Sequence, residues 1–217
     1  MQAGVVLRQA FLLFLVSVTC AFAQEYPGEL HRFNFSAGAG VSLPTADAGS
    51  NFKTGWNFDF RGGLNVSQAF QADLDFSYNH WGLTNAALAA FGQPGGFADV
   101  WSLSFTPVIR MAPHAAVDPY LLVGAGLYHR GMSLTQPASV QTIFCDPFFG
   151  YCYPAVVGVD QVVASFSTYK PGFNAGGGLE FRIGGPMKVF AEARYNEMFT
   201  TRGPNLSYVP ITFGVRW

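Results

Sequence analysis

Residues 207–217, SYVPITFGVRW, alternate without a break: Val209, Ile211, Phe213, Val215 and Trp217 make one apolar row, and Tyr208, Pro210, Thr212, Gly214 and Arg216 make the other. A period of two means a strand with two unlike faces. At the edge of an open sheet such a strand would leave a bare, sticky rim. Closing a barrel inside a membrane removes the edge, and lipid accepts the apolar row.

The same alternation recurs seven times upstream, over Arg32–Leu43, Trp56–Val66, Phe70–Asn79, Trp101–Met111, Tyr120–Arg130, Phe173–Ile183 and Lys188–Asn196. Pro44 is expected to end the first of these, and Pro107 is a flaw in the fourth because it removes a ladder donor. A brief SQA turn joins the second to the third. Counting outward from it sets Arg61 opposite Asp75, the spacing a cross-strand ion pair requires. Thr84–Gly96 lacks alternation and reads as a loop. Gly131–Thr168 is the longest connection; its apolar ends can either extend two strands beyond the membrane or form an extra hairpin, and the pattern leaves both open. The prediction is all-β: eight antiparallel strands, up and down, with both ends of the chain on one side.

Charge decides which face points inward. One row of each strand holds Asp59, Arg61, Asp73, Asp75, Glu180, Arg182, Glu192 and Arg194, while the other is apolar through its middle and broken by Glu197 near one end. The apolar row is rich in Phe and Trp, too bulky for an eight-stranded interior, and the polar row mixes its charges with glycines. The barrel is therefore a transmembrane one, polar inside and apolar outside. Composition agrees: 12% of residues are charged and 22 are Phe, about half the charge of an ordinary soluble domain. Asp59, Arg61, Asp75, Glu180, Arg182, Glu192 and Arg194 are expected to form an interior charge network. Trp56, Trp101, Tyr195 and Trp217 sit where interfacial aromatic girdles belong.

The N-terminus reads as a signal peptide over residues 1–23. Arg8 is the positive region, Ala10–Thr19 the apolar core and Ala21-Phe22-Ala23 the cleavage pattern, with cleavage after Ala23 and a barrel domain over 24–217. Cys145 and Cys152, in CDPFFGYC, are expected to pair as a disulfide in an exported chain. The alternative, a metal site, lacks a nearby His.

The stretches PGFNAGGGLEFRI (171–183), VFAEARYNEMF (189–199) and PITFGVRW (210–217) resemble the small outer-membrane β-barrel family, the eight-stranded OmpA-like transmembrane domain. The resemblance covers most of the mature chain and implies the outer membrane of a Gram-negative-type bacterium. It implies that outer-membrane lipids are neighbours, that the C-terminal strand meets the outer-membrane assembly machinery through Trp217, and that interior charges plug the lumen. Trp217 departs mildly from the usual terminal Phe. No peptidoglycan-binding module is expected after the barrel.

The leading functional expectation is a structural or surface-interacting protein without an open pore or enzymatic activity, using its external loops, with residues 131–168 the contact region for a surface partner. A membrane-embedded enzyme acting on lipid A or peptides is the first rival. His80 and His129 lie near external strand ends, but no His-x-Ser pair accompanies them, and Asp73 and Asp75 read as structural. A secreted lipocalin-like binder with its faces reversed is the second rival. A formal net charge of −1 gives no reason to expect nucleic acid, and no cofactor motif stands out: NAGGGLE is glycine-rich but lies in a strand.

Overall fold

The computed structural model describes residues 32–217, apart from 146, 147 and 202; the signal peptide expected over residues 1–23 lies outside the described residues. Eight strands form a closed antiparallel barrel in chain order. They are β1 (Phe33–Thr45), β2 (Gly55–Asn65), β3 (Phe70–Gly82), β4 (Gly95–Arg110), β5 (Val117–Cys145), β6 (Cys152–Gly184), β7 (Met187–Met198) and β8 (Leu206–Arg216), with short helices α1 (Asp47–Asn51) and α2 (Asn85–Phe91) in two connections. The C-terminal strand closes the ring against β1, from Ser36 opposite Arg216 to Thr45 opposite Ser207. Beyond β8, the Trp217 amide and carbonyl both bond Phe35, each at 2.9 Å, so the seam is laced to the last residue.

The polar row turns inward. Asn34, Asp59, Arg61, Asp73, Asp75, Glu192 and Arg194 are buried, whereas Phe60, Leu74, Leu103, Phe105, Leu121 and Phe213 are exposed on the outer wall. Arg61 pairs in register with Asp75. A one-residue slip of any strand would move its charges into lipid, at about 2–4 kcal/mol for each Arg or Lys near the midplane, so the register is firmly held. Pro107 is accommodated because the β4–β5 pairing is interrupted between Phe105 and Val108, where a missing N–H loses nothing.

Three boundaries differ from the sequence expectation. Pro44 does not end β1, since Pro44 and Thr45 still pair with Tyr208 and Ser207. β4 begins at Gly95 rather than Trp101, because β3 also runs on to Gly82 and gives it a partner. The long connection resolves as one ribbon: β5 and β6 continue, paired residue by residue, to Cys145 opposite Cys152, with a bulge between Leu134 and Thr135. The neighbouring strands reach only Thr135 on one side and Gly172 on the other. Beyond Gln136, whose side chain donates to Gln93 at 2.8 Å, the ribbon has no neighbouring strand up to Cys145, roughly 30 Å at about 3.3 Å per residue.

Short turns lie at the end where β1 begins and β8 stops. At the opposite end are α1, α2, the ribbon and the 199–205 loop. Thr84 caps α2 by accepting the Ala87 amide, and Gly92, at φ 63°, ends it in the left-handed conformation. By the length asymmetry of such barrels, this second end faces outward.

Candidate functional site

The lumen is filled in layers. In the middle, Arg61 reaches Asp59 at 2.7 Å, Asp75 at 3.1 Å and Glu192 at 2.8 Å. Arg194 reaches Asp75 and Glu192, both at 2.7 Å. The Tyr120 hydroxyl donates to the other Glu192 oxygen at 2.7 Å. These five charged residues come from β2, β3 and β7, so the cluster ties across the barrel rather than along its wall. Buried ions need this degree of pairing, because a half-satisfied network would be worse than an apolar core.

Toward the end where β1 begins and β8 stops lies a second ionic layer. Glu180 is held by Arg110 at 2.6 Å, by Lys188 at 3.2 Å and by Arg216, and Asp118 accepts from Arg110 at 2.9 Å. The Phe190 ring separates the two layers, with the Arg61 guanidinium 5.3 Å and the Arg216 guanidinium 5.6 Å from its centroid. Glu180 thus belongs to a different cluster from Asp59, Asp75 and Glu192. Arg182, expected in the network, is outside it: the side chain is exposed at the rim and donates to the Pro113 carbonyl at 3.1 Å. It shares the parity of the polar row but lies too near the strand end to reach the lumen.

Toward the outward end the lumen turns apolar. Trp81, Tyr128, Tyr208, Val100, Met198 and Leu206 pack with Ala48 of α1 into a buried cluster, with Phe52 against it. Trp81 meets Tyr208 edge-on at 4.9 Å and donates to the Ser42 carbonyl at 3.2 Å. Above it Leu83, Ala87 of α2 and Leu134 form a second cluster. The strand alternation carries no sign of this plug, whose residues occupy inward positions that the polar rule assigns to hydrophilic side chains. A solute entering from outside meets helices, then an apolar layer, then two ionic layers.

At the far tip of the ribbon Cys145 and Cys152 are joined by a disulfide. Between them Phe148, Phe149 and Tyr151 are 88%, 76% and 73% exposed. From Gly131 to Thr168 there is no Lys or Arg, so the projecting element is apolar and weakly acidic.

His80 and His129 lie on the outer wall. His80 Nδ1 is 2.6 Å from an Asp99 carboxylate oxygen, which also accepts the Tyr78 hydroxyl at 2.5 Å. The His80 ring stacks against Trp56 at 5.5 Å, and His129 is sandwiched between Trp101 at 5.1 Å and Tyr169 at 4.4 Å. Asp99 is missed by sequence reasoning because the regular alternation of β4 starts only after it; it joins Glu197 as an outward-facing carboxylate. Asp73, by contrast, points inward and accepts from Asn34 at 3.2 Å. Among the described residues no group of three or more His, Cys, Asp or Glu could hold a metal ion.

Residues 10–217 match the family described as outer membrane protein beta-barrel domain. No curated protein matches the chain in sequence. Among solved structures, Neisserial surface protein A is similar at 14% identity and a TM-score of 0.57, covering 85% of this chain and 95% of that one. A major outer membrane protein from Thermus thermophilus is similar at 9% identity and a TM-score of 0.51, covering 86% and 99%. The attachment invasion locus protein Ail of Yersinia pestis is similar at 18% identity and a TM-score of 0.48, covering 85% and 97%. At these identities the first two likenesses speak to the fold alone.

Proposed function

The chain belongs to the outer-membrane β-barrel domain family, and from that premise we propose that it is a non-enzymatic, non-channel barrel whose task is to hold the β5–β6 ribbon at the cell surface. The signal segment exports it, the outer-membrane lipids surround its apolar wall, and the terminal strand with Trp217 is the element read by the assembly machinery. The observation that carries the reading is the ribbon itself. A two-stranded hairpin is marginal on its own, yet here it grows from two wall strands and ends in a covalent clasp beneath three exposed aromatic rings. Its lack of basic residues disfavours a polyanionic target, and its tip chemistry favours an apolar partner surface.

Two measurements test this. In planar bilayers the purified protein is expected to show no stable conductance, because the lumen is layered shut; a large, steady conductance would overturn the non-channel reading. Cells displaying the full chain should partition into hexadecane droplets and bind phosphatidylcholine vesicles more than cells displaying the Phe148→Ser/Phe149→Ser/Tyr151→Ser variant. Burying one such ring stabilises a contact by about 1.5–3 kcal/mol, so losing three should reduce binding at least ~10-fold. Equal partition of the two cell types would refute the ribbon's role.

A further inference from the structure

The outer wall carries a feature that neither a lumen plug nor a projecting ribbon requires. His80 and Asp99 face each other directly across β3 and β4, on the row that otherwise meets lipid. Ionisable side chains turned toward a membrane are costly and mark function by default. These two are neither buried away nor fully in water, since their side chains are 32% and 25% exposed. Around them stand Trp56, Tyr78, Trp101 and Tyr169, the residues of an interfacial girdle. The pair thus lies at the level where lipid headgroups begin.

A cavity opens immediately above. It has a volume of about 470 Å³ and is lined by Pro94, Phe97, Thr135, Pro137, Asp160 and Val162, with the backbone of Gly95 and Gly96 at its base. Phe97 belongs to both places, lining the cavity while its ring lies 5.5 Å from that of His80. The space exists because β4 reaches no higher than its first residue, Gly95, while β5 and β6 continue upward as the ribbon, so a wall is missing on one side. A molecule standing in the outer leaflet could place its headgroup at His80 and Asp99 and continue upward into this recess.

We infer that this recess binds the sugar headgroup of an outer-leaflet glycolipid. The hydrogen-bonding character of the lining selects the class. A carboxylate only accepts, so Nδ1 of His80 carries the hydrogen and donates to Asp99. Asp99 and Asp160 offer further acceptors, and Thr135 can do so with its hydroxyl. A lining whose charged groups are mainly carboxylates wants a ligand rich in donors, and sugar hydroxyls supply them. The flat faces of Phe97, Trp56, Pro94 and Pro137 suit the C–H face of a pyranose ring. Lys53, which approaches Gly82 opposite Phe97, adds one donor at the margin, and a phosphate there would still face Asp99 and Asp160. The lipid tails have a place as well, along the exposed Leu103 and Phe105 below Trp101. The site is separate from the ribbon tip and rests only on the outer-membrane placement, so the two readings fail independently.

The test uses the full chain in a neutral detergent, analysed by native mass spectrometry with digalactosyl diacylglycerol, phosphatidylglycerol and phosphatidylcholine of matched acyl chains. Galactolipid retention should exceed that of both phospholipids roughly 10-fold, the effect of one charge-assisted hydrogen bond. Asp99→Asn and Phe97→Ala should abolish the preference. Glu197→Gln, which removes an outward carboxylate elsewhere on the wall, should leave it unchanged. Heat-modifiable gel migration establishes that each variant is folded. Equal retention of the three lipids, a preference for phosphatidylglycerol, or an unaltered preference in folded Asp99→Asn and Phe97→Ala would overturn the site. Displacement of the galactolipid by free lactose at equal concentration would overturn the lipid assignment.

Discussion

Arg61 is the residue on which the middle of the barrel turns. It is fully buried and within 3.1 Å of carboxylate oxygens on Asp59, Asp75 and Glu192. The cluster holds three carboxylates against two guanidinium groups, so it is already one negative charge in excess. Arg61→Met keeps much of the side-chain volume but leaves three buried carboxylates facing Arg194 alone. At an effective dielectric near 20, each ion contact at 4 Å is about 4 kcal/mol, most of it offset by desolvation. The net cost of stripping one partner from such a cluster is about 3–5 kcal/mol. Glu192→Gln removes negative charge from an acid-rich cluster and keeps an acceptor for Tyr120, so it should cost only about 1–2 kcal/mol. Urea unfolding in lipid vesicles, followed by tryptophan emission and by heat-modifiable migration, reads both. With a slope of about 2 kcal/mol per molar urea, Arg61→Met should lower the midpoint by roughly 2 M and Glu192→Gln by less than about 1 M. If Arg61→Met costs under about 1 kcal/mol, as an exposed ion pair would, or if the order of the two variants is reversed, the picture of a dry, ion-paired lumen is wrong.

Three further perturbations follow from the geometry. A Cβ at Gly40 would lie 1.9 Å from the Ile211 carbonyl oxygen across the closing seam, whereas one at Gly158 on the ribbon meets nothing within 4 Å; Gly40→Ala should lose the heat-modifiable folded band and Gly158→Ala should keep it. Trp81→Ala should destabilise the barrel by about 3–5 kcal/mol in the same urea titration, yet remain non-conducting in planar bilayers because both ionic layers lie beneath the plug. Cys145→Ser/Cys152→Ser should leave the barrel's urea midpoint unchanged while making the ribbon tip cleavable by added protease on intact cells, since the cross-link contributes about 2–3 kcal/mol to local order only.

Much of this architecture was legible because a membrane barrel writes its two faces as two rows. The pairing of Arg61 with Asp75 could be counted from a short turn, and the closing partner of β8 followed from an even strand number. What alternation cannot show is depth along the barrel axis. Arg182 and Arg194 have the same parity, but one is at the rim and the other at the centre, and only the stagger between strands separates them. For the same reason parity groups Glu180 with Glu192, although Phe190 stands between their layers. The plug escapes the pattern because Trp81, Val100 and Met198 break the polar-in rule where helices from two loops cover the mouth. Asp99 escapes because its strand segment is defined by an extended β3, not by its own pattern. The ribbon is undecidable from sequence because Gly131–Thr168 is rich in small and apolar residues on both faces, so its rows carry no contrast.

The continuity of β5 and β6 from wall to tip makes the ribbon a mechanical lever rather than a tethered flag. Its pairing has one joint, the bulge between Leu134 and Thr135, and Leu134 packs against Leu83 and Ala87 of the lid over the lumen. A pull or a sideways load on the disulfide-clasped tip is therefore delivered to the helices that seal the mouth, and the seal bears the strain of whatever the tip is holding.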